Sequence, residues 1–205
     1  MEELFSSYRT LKSRSEAIYT EQRSKFIAFA IPVESEEAAM EEIQELRKRY
    51  YDARHVCWAY RIGKGEPIER QNDDGEPSST AGKPILGQML SYQLTDLLIV
   101  VVRYFGGVKL GTGGLIVAYR TAAEEAIKNS EIVEVTLYSH YRLTFPFELI
   151  NPVMMLLRQY EAETVLSDAD TEGHIWEIKV PNSRAREFEE GASAIYQLQI
   201  KEVAN

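Results

Sequence analysis

Between Thr20 and Val33 the chain (TEQRSKFIAFAIPV) passes from a polar lead-in into a run where Phe26, Ala28 and Ala30 alternate with Ile27, Phe29 and Ile31. Both alternating sets are apolar, so the pattern predicts a strand buried on both faces and stopped by Pro32. Ser35 is placed to cap a following helix, with Glu36 and Glu37 suited to its positive end. Ala38, Ala39, Ile43, Leu46 and Tyr50 give that helix one apolar face, and its charged face reads as solvated, held by i,i+4 pairs. His55–Ile62 (HVCWAYRI) is aromatic and β-branched and predicts a strand. Gly63–Pro84 is rich in glycine and proline and predicts irregular structure, apart from a short edge strand at Ile68–Gln71. Pro84 suits the first turn of a helix through Ile85, Leu86, Met89, Leu90 and Leu94. Leu97–Tyr104 is an unbroken apolar run of the kind found in central strands. A second long helix is expected from about Gly113 to Asn129, then a strand at Ile132–Tyr138.

From Ser139 the pattern restarts. Strands are expected at Tyr141–Phe147, Thr164–Leu166, His174–Val180 and Gln197–Val203, with helices at Leu149–Tyr160 and Ser183–Ile195. The order is β-α-β-β-α-β, the ferredoxin-like split βαβ arrangement. The fold class is therefore α+β, with a domain boundary between residues 138 and 139. No internal repeat or low-complexity tract interrupts either half.

Composition narrows the setting. A length of 205 residues suits two small domains, and 44% hydrophobic residues with 12 tyrosines suffice for packed cores. The N-terminal MEELFSSYRT has neither a basic segment nor an apolar run, and Leu97–Val102 is far shorter than the roughly 20 residues that span a bilayer. Cys57 is the single cysteine, so no internal disulfide is available and a reducing, cytoplasmic setting is expected, with no membrane partner. The net charge of −9 opposes a broadly nucleic-acid-coating surface. Against that background, Leu97–Ala123 carries Arg103, Lys109 and Arg120 and no acid.

Two stretches carry candidate chemistry. Asp73-Asp74-Gly75-Glu76-Pro77-Ser78-Ser79-Thr80 offers carboxylates and hydroxyls that can ligate a hard cation, although the spacing does not match a calcium loop. The plainer reading, which we prefer, is a turn: Asp-Gly supplies positive φ and Ser or Thr caps the next helix. The second stretch is Gly106-Gly107-Val108-Lys109-Leu110-Gly111-Thr112-Gly113-Gly114, between a buried strand and a helix. Its glycines let backbone N–H groups approach an anion at a helix start, with Lys109 and Arg103 adding charge. Close packing of loop against sheet explains the same glycines, and composition does not choose between the two. His55 and Cys57 share a strand face, which raises a Cys/His nucleophile. A buried thiol beside a hydrogen-bonded histidine is the preferred reading. No cofactor or metal is implied.

Gly82-Lys83-Pro84-Ile85-Leu86, then Met89, Leu94, Val100-Val101 and Arg103-Tyr104-Phe105-Gly106-Gly107-Val108-Lys109-Leu110-Gly111, resemble the signature of the IMPACT/YigZ family, bacterial two-domain type. The Asp-Asp-Gly-Glu-Pro-Ser block and His55–Tyr60 resemble the same family, and Ser79 stands where that pattern leads us to expect glycine. The resemblance implies a ribosomal protein S5 domain 2-like fold for residues 1–138, shared with small-molecule kinases of the GHMP type. For residues 139–205 it implies a ferredoxin-like domain resembling elongation factor G domain V. It further implies a link to translation. Eukaryotic relatives regulate translation by binding a partner of an initiation-factor kinase, through an additional domain with no counterpart in these residues.

Three readings follow. The preferred one is a non-enzymatic, translation-associated binding or regulatory protein. It would contact RNA or a component of the translation machinery through Lys83, Arg103, Gly106, Gly107, Lys109, Gly111, Gly113, Gly114 and Arg120. Asp73, Asp74, Glu76, Ser78 and Thr80 would form an adjoining functional loop. The second is a phosphate-handling enzyme related to GHMP kinases, and the third a protein-interaction module with a protein partner.

Overall fold

The computed structural model describes residues 5–203. They form two compact units, residues 8–134 and residues 5–7 with 135–203. Helix and sheet are mixed in both.

The larger unit is built on a five-stranded antiparallel sheet in the order β2-β3-β6-β4-β5: Ser15–Glu21, Ser24–Pro32, Leu97–Tyr104, His55–Ile62 and Ile68–Asn72. β1 (Ser7–Leu11) pairs with β7 (Ile132–Thr136) in a separate two-stranded ladder. The period-two pattern assigns the two faces. Phe26, Ala28 and Ala30 of β3, Cys57 and Ala59 of β4, and Ile99 and Val101 of β6 face helices α2 (Gly82–Ser91) and α3 (Gly111–Lys128). Ile27, Phe29, Val56, Tyr60, Leu98, Val100 and Val102 face α1 (Glu36–Arg49). Small residues meet small residues under α3, where Ala118, Ala122, Ala123 and Ala126 are fully buried, and this brings the helix close to the sheet.

Ser35 caps α1 as its sequence predicts, its hydroxyl accepting from the Ala38 amide at 3.1 Å. The expected i,i+4 pairs on α1 are replaced by bonds to other elements. Arg14 reaches Glu42 and Arg47 reaches Asp74, while the Tyr60 hydroxyl donates to Glu36. β1 and β2 are strands that the hydrophobic pattern did not reveal. β2 lies at the sheet edge and is half exposed, so its sequence SEAIYTE carries charge and little alternation.

In the smaller unit β8 (Tyr138–Phe145), α4 (Ile150–Gln159), β9 (Glu163–Ala169), β10 (His174–Pro181), α5 (Asn182–Ser193) and β11 (Gln199–Val203) follow the predicted β-α-β-β-α-β order. The sheet runs β11-β8-β10-β9, every pair antiparallel. Val153, Leu156, Phe188 and Ala192 of the helices pack on Tyr141, Leu143, Phe145, Trp176 and Ile178. No described helix is long and apolar enough to cross a membrane.

Candidate functional site

The chemistry-bearing residues gather on the α2/α3 side of the larger sheet, where the C-terminal end of β6 meets the loop after β5. A type I′ turn opens that loop: Asp74 and Gly75 take φ of 43° and 83°, and the Glu76 amide donates to the Asp73 carbonyl. The turn aims the three carboxylates in different directions. Asp73 accepts from the Ser79 amide through one oxygen and from the Ala81 and Gly82 amides through the other, at 2.8–2.9 Å. The aspartate nine residues upstream is thus the cap of α2, in place of the Ser or Thr the sequence suggests. Thr80 instead donates its hydroxyl to the Pro77 carbonyl. Asp74 accepts from the Val56 amide and pairs with Arg47.

Glu76 points inward. Its Oε1 accepts from Arg103 Nη1 at 2.5 Å and from the Tyr119 hydroxyl at 2.8 Å, and all three residues are buried. Arg103 is 5% exposed, and its Nε has no hydrogen-bond partner. The guanidinium lies 5.5 Å from the Phe26 ring and 5.7 Å from that of Phe105. His55 Nδ1 sits 2.8 Å from the Asp74 carbonyl oxygen, which can only accept, so Nδ1 carries the proton and Nε2 faces Glu76 at 3.8 Å. Cys57 is fully buried, its Sγ 3.1 Å from the Asp73 carbonyl oxygen and 3.3 Å from the Tyr119 hydroxyl. Burial pushes the thiol pKa up, opposing the thiolate that a nucleophile needs. Burial likewise raises the Tyr119 phenol, with Cys57 adding to the effect. No cluster of three or more His, Cys, Asp or Glu among the described residues is placed to hold a metal ion.

The glycine stretch divides into packing and opening. At Gly106 a Cβ would stand 2.0 Å from the Arg23 carbonyl carbon, so only glycine lets the end of β6 lie against the β2–β3 turn, and the Gly106 amide donates to Ser24. Gly107 and Gly111 adopt positive φ. α3 begins at Gly111, two residues before the expected start, so Gly113 and Gly114 lie in its first turn. Leu110 at the start of α3 supplies no side-chain cap, so the first-turn amides are left open as at any uncapped helix start.

These parts enclose a pocket of about 460 Å³, lined by Arg54, His55, Glu76, Arg103, Lys109, Gly111 and Thr112, with Pro77, Phe105, Leu110 and Leu115 as apolar walls. Of the candidate residues named from the sequence, His55, Glu76, Arg103, Lys109 and Gly111 line it. Lys83 and Arg120 are exposed on α2 and α3 and do not line it. Arg103 presents no charge at the surface, because burial and Glu76 absorb it. Arg54 and Tyr119 belong to the constellation without any local signal. The only hint for Tyr119 is its place on the buried stripe of α3 with Leu115 and Ala118, where a phenol needs a partner.

Residues 22–127 match the family model described as the Impact N-terminal domain. The IMPACT family member YvyE of Bacillus subtilis (strain 168) is 43% identical over 131 residues, which cover 64% of this chain and 60% of YvyE. The chain thus spans less than two thirds of that relative's length. The IMPACT family member YigZ of Escherichia coli (strain K12) is 31% identical over 169 residues, 82% of each chain. A solved structure described as that of an hypothetical protein has 28% sequence identity and a TM-score of 0.68, covering 98% of this chain and 100% of its own.

Proposed function

The chain belongs to the IMPACT family, and from that premise we propose that it is a translation-associated regulatory protein that acts by binding RNA of the translation machinery. The contact surface is the mouth of the 460 Å³ pocket in the larger unit. One observation carries the reading. On a chain of net charge −9, Arg54 and Lys109 flank an uncapped helix start, and neither makes an ion pair among the described residues. Cations without partners and open amides are what phosphate contacts use. The kinase alternative finds less support, because Asp73, Asp74 and Glu76 are already occupied by backbone amides, Arg47, Arg103 and Tyr119.

We assign residues 1–138 to a ribosomal protein S5 domain 2-like domain and residues 139–205 to a ferredoxin-like one. The sheet order β11-β8-β10-β9 supports the second assignment.

RNA binding of the wild type and of Lys109→Glu, measured at two salt concentrations, tests the reading. Affinity is expected to fall with salt at about 0.7 log unit per phosphate contacted on a single strand, and to be weaker for the variant. Equal affinities would remove the pocket mouth as the contact surface, and no binding at either salt would remove RNA as the partner.

A further inference from the structure

We infer that the pocket between the Asp74-Gly75 turn and the start of α3 holds the phosphomonoester of a nucleotide. This deepens the proposed function and rests on its choice of the pocket mouth as contact surface. Four observations support the ligand class. First, the charges at the opening are unbalanced: Arg54 and Lys109 are exposed and unpaired among the described residues, while the only carboxylate in the lining, Glu76, is neutralised by Arg103. A dianionic monoester fits that surplus better than the single charge of a diester. Second, the Arg103 side chain, 6% exposed, forms part of the lining, and its Nε is a buried donor with no partner. Such an orphan is uncommon unless something completes it. Third, α3 is 18 residues long and begins at the pocket without a side-chain cap, with Gly111 and Thr112 in the lining, so its open amides and positive end face the same space.

The fourth observation fixes the body of the ligand. Phe105 is 44% exposed beside Leu110, Leu115 and Pro77, which gives a flat apolar wall next to the cations. An aromatic ring at such a rim stacks on a base. A volume of about 460 Å³ admits a nucleotide. Lys83 and Arg120, which would have to continue a cationic track for a polymer backbone, do not line the pocket. The recognised group is therefore terminal and compact: a free mononucleotide or the phosphorylated end of an RNA strand.

The test measures binding of adenosine monophosphate and of one decanucleotide RNA bearing either a 5′-phosphate or a 5′-hydroxyl. It uses the wild type, the doubly substituted Arg54→Glu/Lys109→Glu protein and a Lys48→Glu control on α1. We expect the 5′-phosphorylated strand to bind about tenfold or more tightly than its hydroxyl form, the gain of one or two charge-assisted hydrogen bonds. The mononucleotide should compete with it, and only the double variant should lose the preference. A mononucleotide that binds while neither RNA does would keep the pocket and overturn RNA as the partner. Equal binding of the two RNAs without competition by the mononucleotide would overturn the monoester site and leave the RNA contact standing. No binding of any probe removes both.

Discussion

The loop that leads into α2 and the loop that leads into α3 solve the same problem in opposite ways. Each carries the chain from a strand of the larger sheet into a helix on the same face, and each turns on a glycine at positive φ, Gly75 in one and Gly107 in the other. Before α2, a distant aspartate binds three amides and the other acids are held by Arg47, Arg103 and Tyr119, so the polar groups are consumed internally. Before α3, the helix starts without a cap, and Lys109 lacks a partner among the described residues. The acidic loop, whose sequence reads first as a turn before a helix cap, spends its polar groups on structure. The apolar glycine loop keeps its donors open.

Substitutions on either side of this contrast separate the two roles. The largest effect is expected at Glu76. Glu76→Ala leaves the buried Arg103 charge without its carboxylate, which costs about 3–5 kcal/mol. Denaturant unfolding of this variant should show a midpoint far below that of the wild type, and a loss under 1 kcal/mol would mean that the pair contributes little. Next comes Asp73→Ala, which strips three amides of a charged acceptor. A loss of about 2–3 kcal/mol is expected by the same measurement. The opposite loop should respond differently. Lys109→Glu is expected to change stability by no more than about 0.5 kcal/mol, because it is an exposed site away from any packing feature. Its effect belongs to binding. A destabilisation of Lys109→Glu comparable to that of Asp73→Ala would erase the contrast.

A small effect of the opposite sign sharpens the comparison further. Ser79 holds φ at 62°, a left-handed conformation that side chains resist. The loop therefore keeps the backbone that glycine would adopt most easily, and the serine is strained. Ser79→Gly should stabilise the protein by about 0.5–1 kcal/mol, seen as a higher unfolding midpoint.

Much of this architecture is legible in the sequence. Strands β3, β4, β6 and β10 announce themselves because buried strands carry apolar residues at a fixed period. β1 and β2 were missed because edge strands carry charge. In the acidic loop the Asp-Gly turn was readable, since its φ values are a local property of two residues. The identity of the α2 cap was not, because Asp73 acts across nine positions. Pairings such as Glu76 with Arg103 and Tyr119 join residues 27 and 43 positions apart. No short-range pattern encodes them, and they decide that Arg103 is a buried counter-ion rather than a surface contact. The same limit explains why His55 and Cys57 read as a possible nucleophilic pair. They do share a strand face, but the thiol is buried in the core beneath α2 and α3 and meets Tyr119, 62 positions later in the chain.

The strand order has a consequence for the order of events during synthesis. β6 lies between β3 and β4 in the sheet, yet it leaves the ribosome after both. Until then the inner edges of β3 and β4 have no partner, and β6 brings both of their ladders at once. At roughly 5–20 residues per second, the 65 positions from Pro32 to Leu97 take several seconds to appear. Throughout that interval a nascent hairpin with the sequence FIAFAI offers an apolar edge to any neighbouring strand. A pause in elongation before Leu97 would prolong that exposure, whereas a pause after Tyr104 would let the sheet close first.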